Sequence, residues 1–128
     1  MTNPTCPHCG VGIGEHEATR CLDQWVCAVV FEHKMETVDG YSVYHAIADK
    51  RFFGSSVRWE PLPRYSTDIS AAWEVLEWLR DKDCDVALCS AGATWLVESN
   101  VLDVTVRSES APLAICRAAV LAAAGENT

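Results

Sequence analysis

The sequence has no long apolar run and few cations. Its 128 residues contain no stretch approaching the roughly 18–20 consecutive apolar residues that a membrane-spanning helix needs. Lys and Arg number 10 against 18 Asp and Glu, which gives a formal net charge of −8. Because sequence-independent binding to DNA, RNA or anionic lipid comes from Lys and Arg, we expect neither extended nucleic acid nor membrane as a partner. A small anionic ligand in a local basic pocket remains compatible with this charge.

Signature motifs of common enzymes are also missing. The sequence contains no Walker phosphate-binding loop and no Gly-x-Ser-x-Gly nucleophile motif. Asp68 and His45 could take part in acid–base chemistry, but most globular proteins of this size offer such residues. We therefore expect a protein that is not an enzyme.

The cysteines and the N-terminal residues indicate a reducing compartment. Residues Met1–Gly10 show neither the basic nor the apolar segment of a secretory signal peptide, so we expect none. The seven cysteines are an odd number, which does not suit a closed set of disulfides. Free thiols or a metal site in the cytoplasm fit this composition better than a disulfide framework.

The composition is that of one folded domain. Hydrophobic residues make up 49% of the chain and charged residues 22%, which is ordinary for a globular protein. We assign residues 15–128 to a single domain, and residues 1–14 to an N-terminal tail or zinc knuckle.

Cys6 and Cys9, in the segment Cys-Pro-His-Cys-Gly, form a pattern typical of zinc knuckles. A structural zinc needs four ligands, and the sequence has no second Cys-x-x-Cys. The available completions are Cys21, Cys27, His8, His16 and His33. Cys21 and Cys27 would lie on different faces of a helix, so we do not expect both in one site. A flexible tail with two exposed thiols, or a Cys6–Cys9 disulfide or redox pair, are the alternatives.

Hydrophobic periodicity predicts helices near both ends of the chain. Glu15–Lys34 has helical spacing, with Asp23 on its polar side. Cys27 is expected to be a small buried side chain, and His33 a surface residue near the helix end. The last helix begins after Ser110.

The middle of the chain is predicted to contain strands. Met35–Glu60 is the least regular part, with a short strand near Tyr41 and Val43. An antiparallel meander is expected from three later strands, Cys84–Ser90, Ala93–Ser99 and Val101–Arg107.

The segment Pro61–Lys82 carries the clearest local signals. Two prolines favour an extended entry, and Ser66 or Thr67 is predicted to cap a helix. The predicted apolar face of this helix comprises Ile69, Ala72, Trp73, Leu76 and Leu79.

The start of that helix is also the best candidate for an anion site. Free amides and the positive end of the helix dipole suit phosphate, and Tyr65 could stack on a base. The proposed ligand-binding residues are Arg64, Tyr65, Ser66, Thr67, Asp68 and Arg117. The competing interpretation is a well-built helix cap, in which Asp68 pairs with Arg117.

Five tryptophans point to a third kind of function. Trp78 lies off the predicted apolar face, and Trp59 lies in the irregular segment. Exposed aromatic residues of this kind are typical of partner surfaces or of self-association into a homo-oligomer.

Two segments resemble the hallmark of the phage ABA-sandwich domain family. They are Pro63–Leu76, which reads Pro-Arg-Tyr-Ser-Thr-Asp-Ile-Ser-Ala-Ala-Trp-Glu-Val-Leu, and Ala111–Ala119. Cys21–Cys27 is similar to the family's opening helix, so the resemblance covers roughly Glu15 to Gly125. It does not extend to the Cys6–Cys9 knuckle.

The resemblance implies an α+β fold, a three-layer α-β-α sandwich with a three- to four-stranded antiparallel sheet and about three helices. It also implies a phage accessory protein acting in the cytoplasm of the bacterial host. We expect an anti-defence protein that binds or sequesters a nucleotide-type small signal without catalysis. The alternative is a module that binds a host or phage protein, with or without a stabilising zinc.

Overall fold

A computed structural model describes residues 4–38, 42–48, 57–82, 86–99 and 104–126 of the chain. The described part contains three α-helices and two antiparallel three-stranded sheets. The predicted α+β sandwich class and the three helices are therefore confirmed, while the strands form two sheets instead of one. No helix in these ranges is long and apolar enough to cross a membrane.

The first helix, α1, spans Arg20–Val26 and continues into one π-helical segment, Cys27–Phe31. Leu22, Trp25 and Val26 are buried, as helical spacing predicts. Asp23 is also buried, so its predicted place on a solvated face is wrong. The π segment ends at Glu32, whose φ of 55° places it in the left-handed region and turns the chain out of the helix.

The first sheet consists of β1 (Met35–Val38), β2 (Ser42–Ala48) and β3 (Val57–Pro61) in that order. Its register places Met35 opposite His45, and His45 opposite Glu60. The predicted short strand near Val43 is confirmed as β2, while β1 and β3 were not predicted in this least regular part of the sequence. Tyr41 and the aromatic and basic residues at 50–53 lie outside the described ranges.

The second sheet is the predicted meander of β4 (Val86–Ala91), β5 (Thr94–Ser99) and β6 (Val104–Ser108). A tight turn joins β4 to β5, and Gly92 takes a φ of 63° there, which glycine adopts at no steric cost. Val97 and Val106 lie side by side in the register and are both buried.

The last helix, α3 (Ala111–Glu126), is the centre of the core. It packs against α2 (Ile69–Lys82), against β5 and β6, and against α1. Most of its described residues are buried, and many of them are alanines. Neighbouring elements cover this helix on every side, which explains why it is apolar almost all around. Its small side chains let those elements approach closely.

Helix α2 differs from its prediction at both its cap and its apolar face. The side chain of Asp68 caps it by accepting a hydrogen bond from the amide of Ser70 at 3.0 Å, so neither Ser66 nor Thr67 is the cap. The buried residues are Ala72, Val75 and Leu79. Ile69 and Trp73, predicted to be buried, are 48% and 52% exposed, because α2 turns the stripe of Ala72, Val75 and Leu79 toward α3.

Candidate functional site

The N-terminal segment folds back on itself before α1 begins. The amide of Cys6 donates to the carbonyl of Val11, and the amide of Ile13 donates to the carbonyl of Pro4, each at 2.9 Å. Gly10 closes the turn with a φ of 77°, and its amide donates to the carbonyl of Cys6 at 2.9 Å. This is the turn that the Cys-Pro-His-Cys-Gly pattern predicts.

Four side chains converge beside this turn: Cys6, Cys9, His16 and Cys21. One ligand atom from each lies within 4.8 Å of the others. The Nε2 atom of His16 is 3.4 Å from the sulfur of Cys9 and 3.3 Å from the sulfur of Cys21. A tetrahedral zinc with ordinary bond lengths holds a nitrogen and a sulfur about 3.6 Å apart, so these distances match a zinc-binding arrangement.

His16 is held in the orientation that metal binding needs. Its Nδ1–H donates to the backbone carbonyl of Glu17 at 2.7 Å. That hydrogen bond leaves the lone pair of Nε2 directed at the thiols, and ligand histidines in metal sites are commonly oriented in this way. The ring is 2% exposed and lies against Trp25, with ring centroids 6.0 Å apart.

Backbone and hydroxyl groups surround the sulfur atoms. The amide of His8 donates to the sulfur of Cys6 at 3.4 Å, and the backbone amide of Val11 lowers the pKa of the Cys9 thiol. The hydroxyl of Thr19 lies 3.1 Å from the sulfur of Cys21, whose pKa burial raises. Such donors stabilise sulfur in the thiolate form that binds metal.

The sequence identified half of this cluster and left the rest open. Cys6 and Cys9 were the predicted metal ligands, and His16 and Cys21 were among the five candidate completions. Cys27 and His33 belong to a separate group of side chains, so Cys21 and Cys27 indeed do not share a site. Among described residues, the ring of His8 is not part of either group.

Arg117 of α3 links the cluster to the core. Its Nε donates to the backbone carbonyl of His16 at 2.9 Å, and its Nη2 donates to the same oxygen at 2.5 Å. No ion pair joins it to Asp68, although both side chains lie within the described ranges. The lone cation of the last helix therefore holds the segment that carries His16.

We expect Arg117→Ala to lower the free energy of unfolding by about 1.5–3 kcal/mol, because two charge-assisted hydrogen bonds to one carbonyl are lost. Urea denaturation measures this loss. Arg107→Ala is the control, since Arg107 is exposed on β6. Equal stability of the two variants would contradict the structural role of Arg117.

The Tyr-Ser-Thr-Asp segment before α2 is built mainly into the core. The amide and the hydroxyl of Ser66 donate to one carboxylate oxygen of buried Asp23, at 2.8 and 2.7 Å. Arg20 donates to the other oxygen at 2.7 Å and also to the carbonyls of Leu62 and Pro63. This network, Arg20–Asp23–Ser66, attaches the extended entry of α2 to α1.

The other residues of the predicted anion site divide into buried and exposed ones. Tyr65 is 1% exposed and stacks on Phe31, with ring centroids 5.3 Å apart, and burial raises the pKa of its hydroxyl. Arg64, Thr67 and Asp68 are exposed in the turn ahead of α2. Ligand binding by Arg64–Asp68 together with Arg117 stays a prediction. Packing and hydrogen bonds within the protein account for the positions of the Tyr65, Ser66 and Arg117 side chains.

An apolar groove that also carries charged side chains lies between α2 and β4. It has a volume of about 330 Å³ and is lined by Trp73, Leu76, Glu77, Arg80, Val86 and Leu88. Trp73, Glu77 and Arg80 recur at helical spacing on one face of α2. That spacing was visible in the sequence, but Trp73 was assigned to the core, so the groove was missed.

The comparisons with known proteins agree with the fold. A phage protein from Bacillus cereus ATCC 14579, solved by crystallography at 2.0 Å, is similar in structure with a TM-score of 0.55. It is 24% identical, and the alignment covers 89% of this chain and 94% of that one. No curated protein shows significant similarity to the chain. The family model described as Phage ABA sandwich domain matches residues 20–120, so the chain belongs to the phage ABA sandwich domain family.

Proposed function

We propose that this phage protein is an accessory protein that binds a nucleotide-type small signal of the host without catalysis, and that it counters a host defence in the bacterial cytoplasm. The observation that carries the proposal is the groove between α2 and β4. There the exposed Trp73 lies on the same face of α2 as the guanidinium of Arg80. The family supports the phage origin of the protein, and the groove supplies the chemistry of binding.

The groove offers each contact that a nucleotide requires. Trp73 is 52% exposed and can stack on a base, which favours any base because every base has a π face. Arg80 lies two turns further along α2, and no described carboxylate forms an ion pair with it. A guanidinium in this position can bind a phosphate through two parallel hydrogen bonds. Glu77, between them, can accept hydrogen bonds from ribose hydroxyls or from a base edge.

The lining and size of the groove favour a small ligand over a long nucleic acid strand. Leu76, Val86 and Leu88 line the same groove as Trp73 and supply apolar contacts. A volume of about 330 Å³ is at the small end of the range for ligand pockets. The net charge of −8 argues against a nucleic acid strand, because a strand needs a line of cations.

We expect Trp73→Ala and Arg80→Ala each to weaken nucleotide binding by about 10- to 100-fold, since each removes about 1.5–3 kcal/mol of stacking or charge-assisted hydrogen bonding. Protein purified from defence-expressing cells should release an ultraviolet-absorbing compound on denaturation. Isothermal titration with that compound and with a panel of cyclic and linear nucleotides measures the affinities.

Two matched variants locate the site. Trp95→Ala is the control for Trp73, because Trp95 is 37% exposed on β5 and does not line the groove. Arg64→Ala tests the turn ahead of α2 and should leave binding unchanged. If Arg64→Ala abolishes binding while Trp73→Ala does not, the ligand lies at the helix start and the groove is the wrong site. Loss of phage protection in Trp73→Ala, with protection kept in Trp95→Ala, would connect binding to anti-defence activity.

The second candidate function is binding to a host or phage protein. It is favoured by Trp59, which is 41% exposed on β3. Trp78 is half-buried and packs with the core, so it is the weaker of the two predicted contact residues. A pull-down that depends on Trp59 and recovers one defined protein, from preparations with no released nucleotide, would favour this function over the first.

We also propose that Cys6, Cys9, His16 and Cys21 hold a structural zinc ion. Three sulfurs and one imidazole are a donor set that zinc prefers, and four protein ligands leave no position for a substrate. Three of the four ligands precede the region that matches the family, while Cys21 and Arg117 lie within it. The zinc would therefore fasten the N-terminal segment onto the family domain.

A further inference from the structure

A second group of metal-ligating side chains lies at the opposite end of α1. It consists of Cys27, His33 and His45, and we call it the second cluster. Their ligand atoms all lie within 4.8 Å of one another. The Nδ1 atoms of the two histidines are 3.0 Å apart, and the sulfur of Cys27 is 4.0 Å from Nδ1 of His45.

The backbone brings these residues together from three elements. Cys27 opens the π segment, and the left-handed Glu32 that ends this segment turns His33 back toward it. The amide of His33 donates to the carbonyl of Cys27 at 3.4 Å. Strand β2 then lies alongside, because the amide of Ala46 donates to the carbonyl of Lys34 at 2.9 Å. His45, the residue before Ala46, lies opposite Met35 in the β1–β2 ladder.

We propose that the second cluster binds a divalent transition-metal ion of the zinc type. Two neutral imidazoles in this orientation can share one proton, but that hydrogen bond does not account for a thiol near both rings. A tetrahedral zinc holds two nitrogens about 3.3 Å apart and a nitrogen and a sulfur about 3.6 Å apart, within a few tenths of an ångström of the observed distances. One thiolate and two imidazoles suit zinc, cobalt or copper and not magnesium or calcium.

The second cluster differs from the first in having three protein ligands. A fourth position is therefore open to water or to a small anion. Cys27 and His45 are buried, while His33 is half-buried beside Phe31, so access runs past His33 and admits only small ligands. Glu60 lies opposite His45 across the β2–β3 ladder and supplies a nearby negative charge, shared with Arg58 at 2.9 Å.

The two clusters are separate enough to be tested one at a time. Cys21 and Cys27 are six residues apart in the sequence, which is about 9 Å along a helix. Replacing two ligands of the first cluster, or one ligand of the second, should therefore abolish the binding of one metal ion and leave the binding of the other.

The test is a titration of metal-free, reduced protein with Co²⁺, followed by its visible absorption. The wild-type chain should bind two equivalents, and His33→Gln and the double variant Cys9→Ser/Cys21→Ser should each bind one. Added azide should shift the cobalt spectrum of Cys9→Ser/Cys21→Ser, whose remaining site has an open position, and should leave that of His33→Gln unchanged. Folding of each variant is checked by circular dichroism, and His33 is chosen because it is the least buried ligand of the second cluster. If His33→Gln binds as much cobalt as the wild type, the second site does not exist. If azide has no effect on Cys9→Ser/Cys21→Ser, the proposed open position at the second site is wrong.

Discussion

Asp23→Ala should destabilise the protein by about 3–5 kcal/mol, the cost of breaking a buried charged network by removing one partner. Asp23 is 1% exposed and accepts hydrogen bonds from the amide and hydroxyl of Ser66 and from the guanidinium of Arg20. Alanine leaves the buried Ser66 amide without an acceptor, while the Ser66 hydroxyl keeps only the carbonyl of Thr19, at 3.3 Å. Because domains of this size are stable by only about 5–15 kcal/mol, the variant should unfold at much lower urea concentration.

The matched control is Asp68→Ala. Asp68 is also a carboxylate that accepts from a backbone amide, but it is exposed at the start of α2. Its loss should cost about 1 kcal/mol, the usual value for a helix cap. If the two variants lose the same stability in urea denaturation, the Arg20–Asp23–Ser66 network is not what attaches the α2 entry to α1.

Removal of zinc from the first cluster should also lower the stability of the protein strongly. At free zinc about 1,000-fold above its dissociation constant, binding contributes about 4 kcal/mol to folding, and chelation or Cys9→Ser removes that contribution. The loss should appear first in residues 4–19, since their pairing depends on a turn whose side chains converge on the proposed zinc site. Limited proteolysis with mass spectrometry should show cleavage there before the core unfolds.

Cys89→Ser serves as the control for this experiment. Cys89 is an exposed thiol on β4 and belongs to neither cluster. It should keep the zinc content and the protease resistance of the wild type. Less than roughly half an equivalent of zinc in wild-type protein, or full protease resistance of residues 4–19 in Cys9→Ser, would contradict a structural zinc.

Local patterns in the sequence were sufficient for the elements whose signals lie within a few residues. The knuckle turn at Cys6–Gly10, the β4–β6 meander and α3 were all predicted from short-range spacing and turn residues. These features depend on conformations that a dozen residues or fewer specify by themselves. The family hallmark added the overall α+β class.

Long-range packing decided what the local patterns left ambiguous. Helix α2 has two apolar stripes, and periodicity alone does not say which of them is buried. The stripe with Ala72 faces α3, because small residues permit close contact between helices, and Trp73 is consequently left in the groove. Of the first sheet only the strand near Val43 was predicted, because β1 and β3 are recognised by their pairing more than by alternation.

The sequence by itself determined the fold class, the family and two of the four residues of the proposed zinc site. Only the tertiary structure decided that His16 and Cys21 complete the first cluster, that Asp23 binds Ser66, and that Cys27, His33 and His45 meet. It also showed that Arg117 binds the carbonyl of His16, 101 residues away in the chain, and not Asp68. The physical reason is that a metal ligand or a buried hydrogen-bond acceptor is defined by distances in space, which sequence spacing specifies only within a single turn or helix.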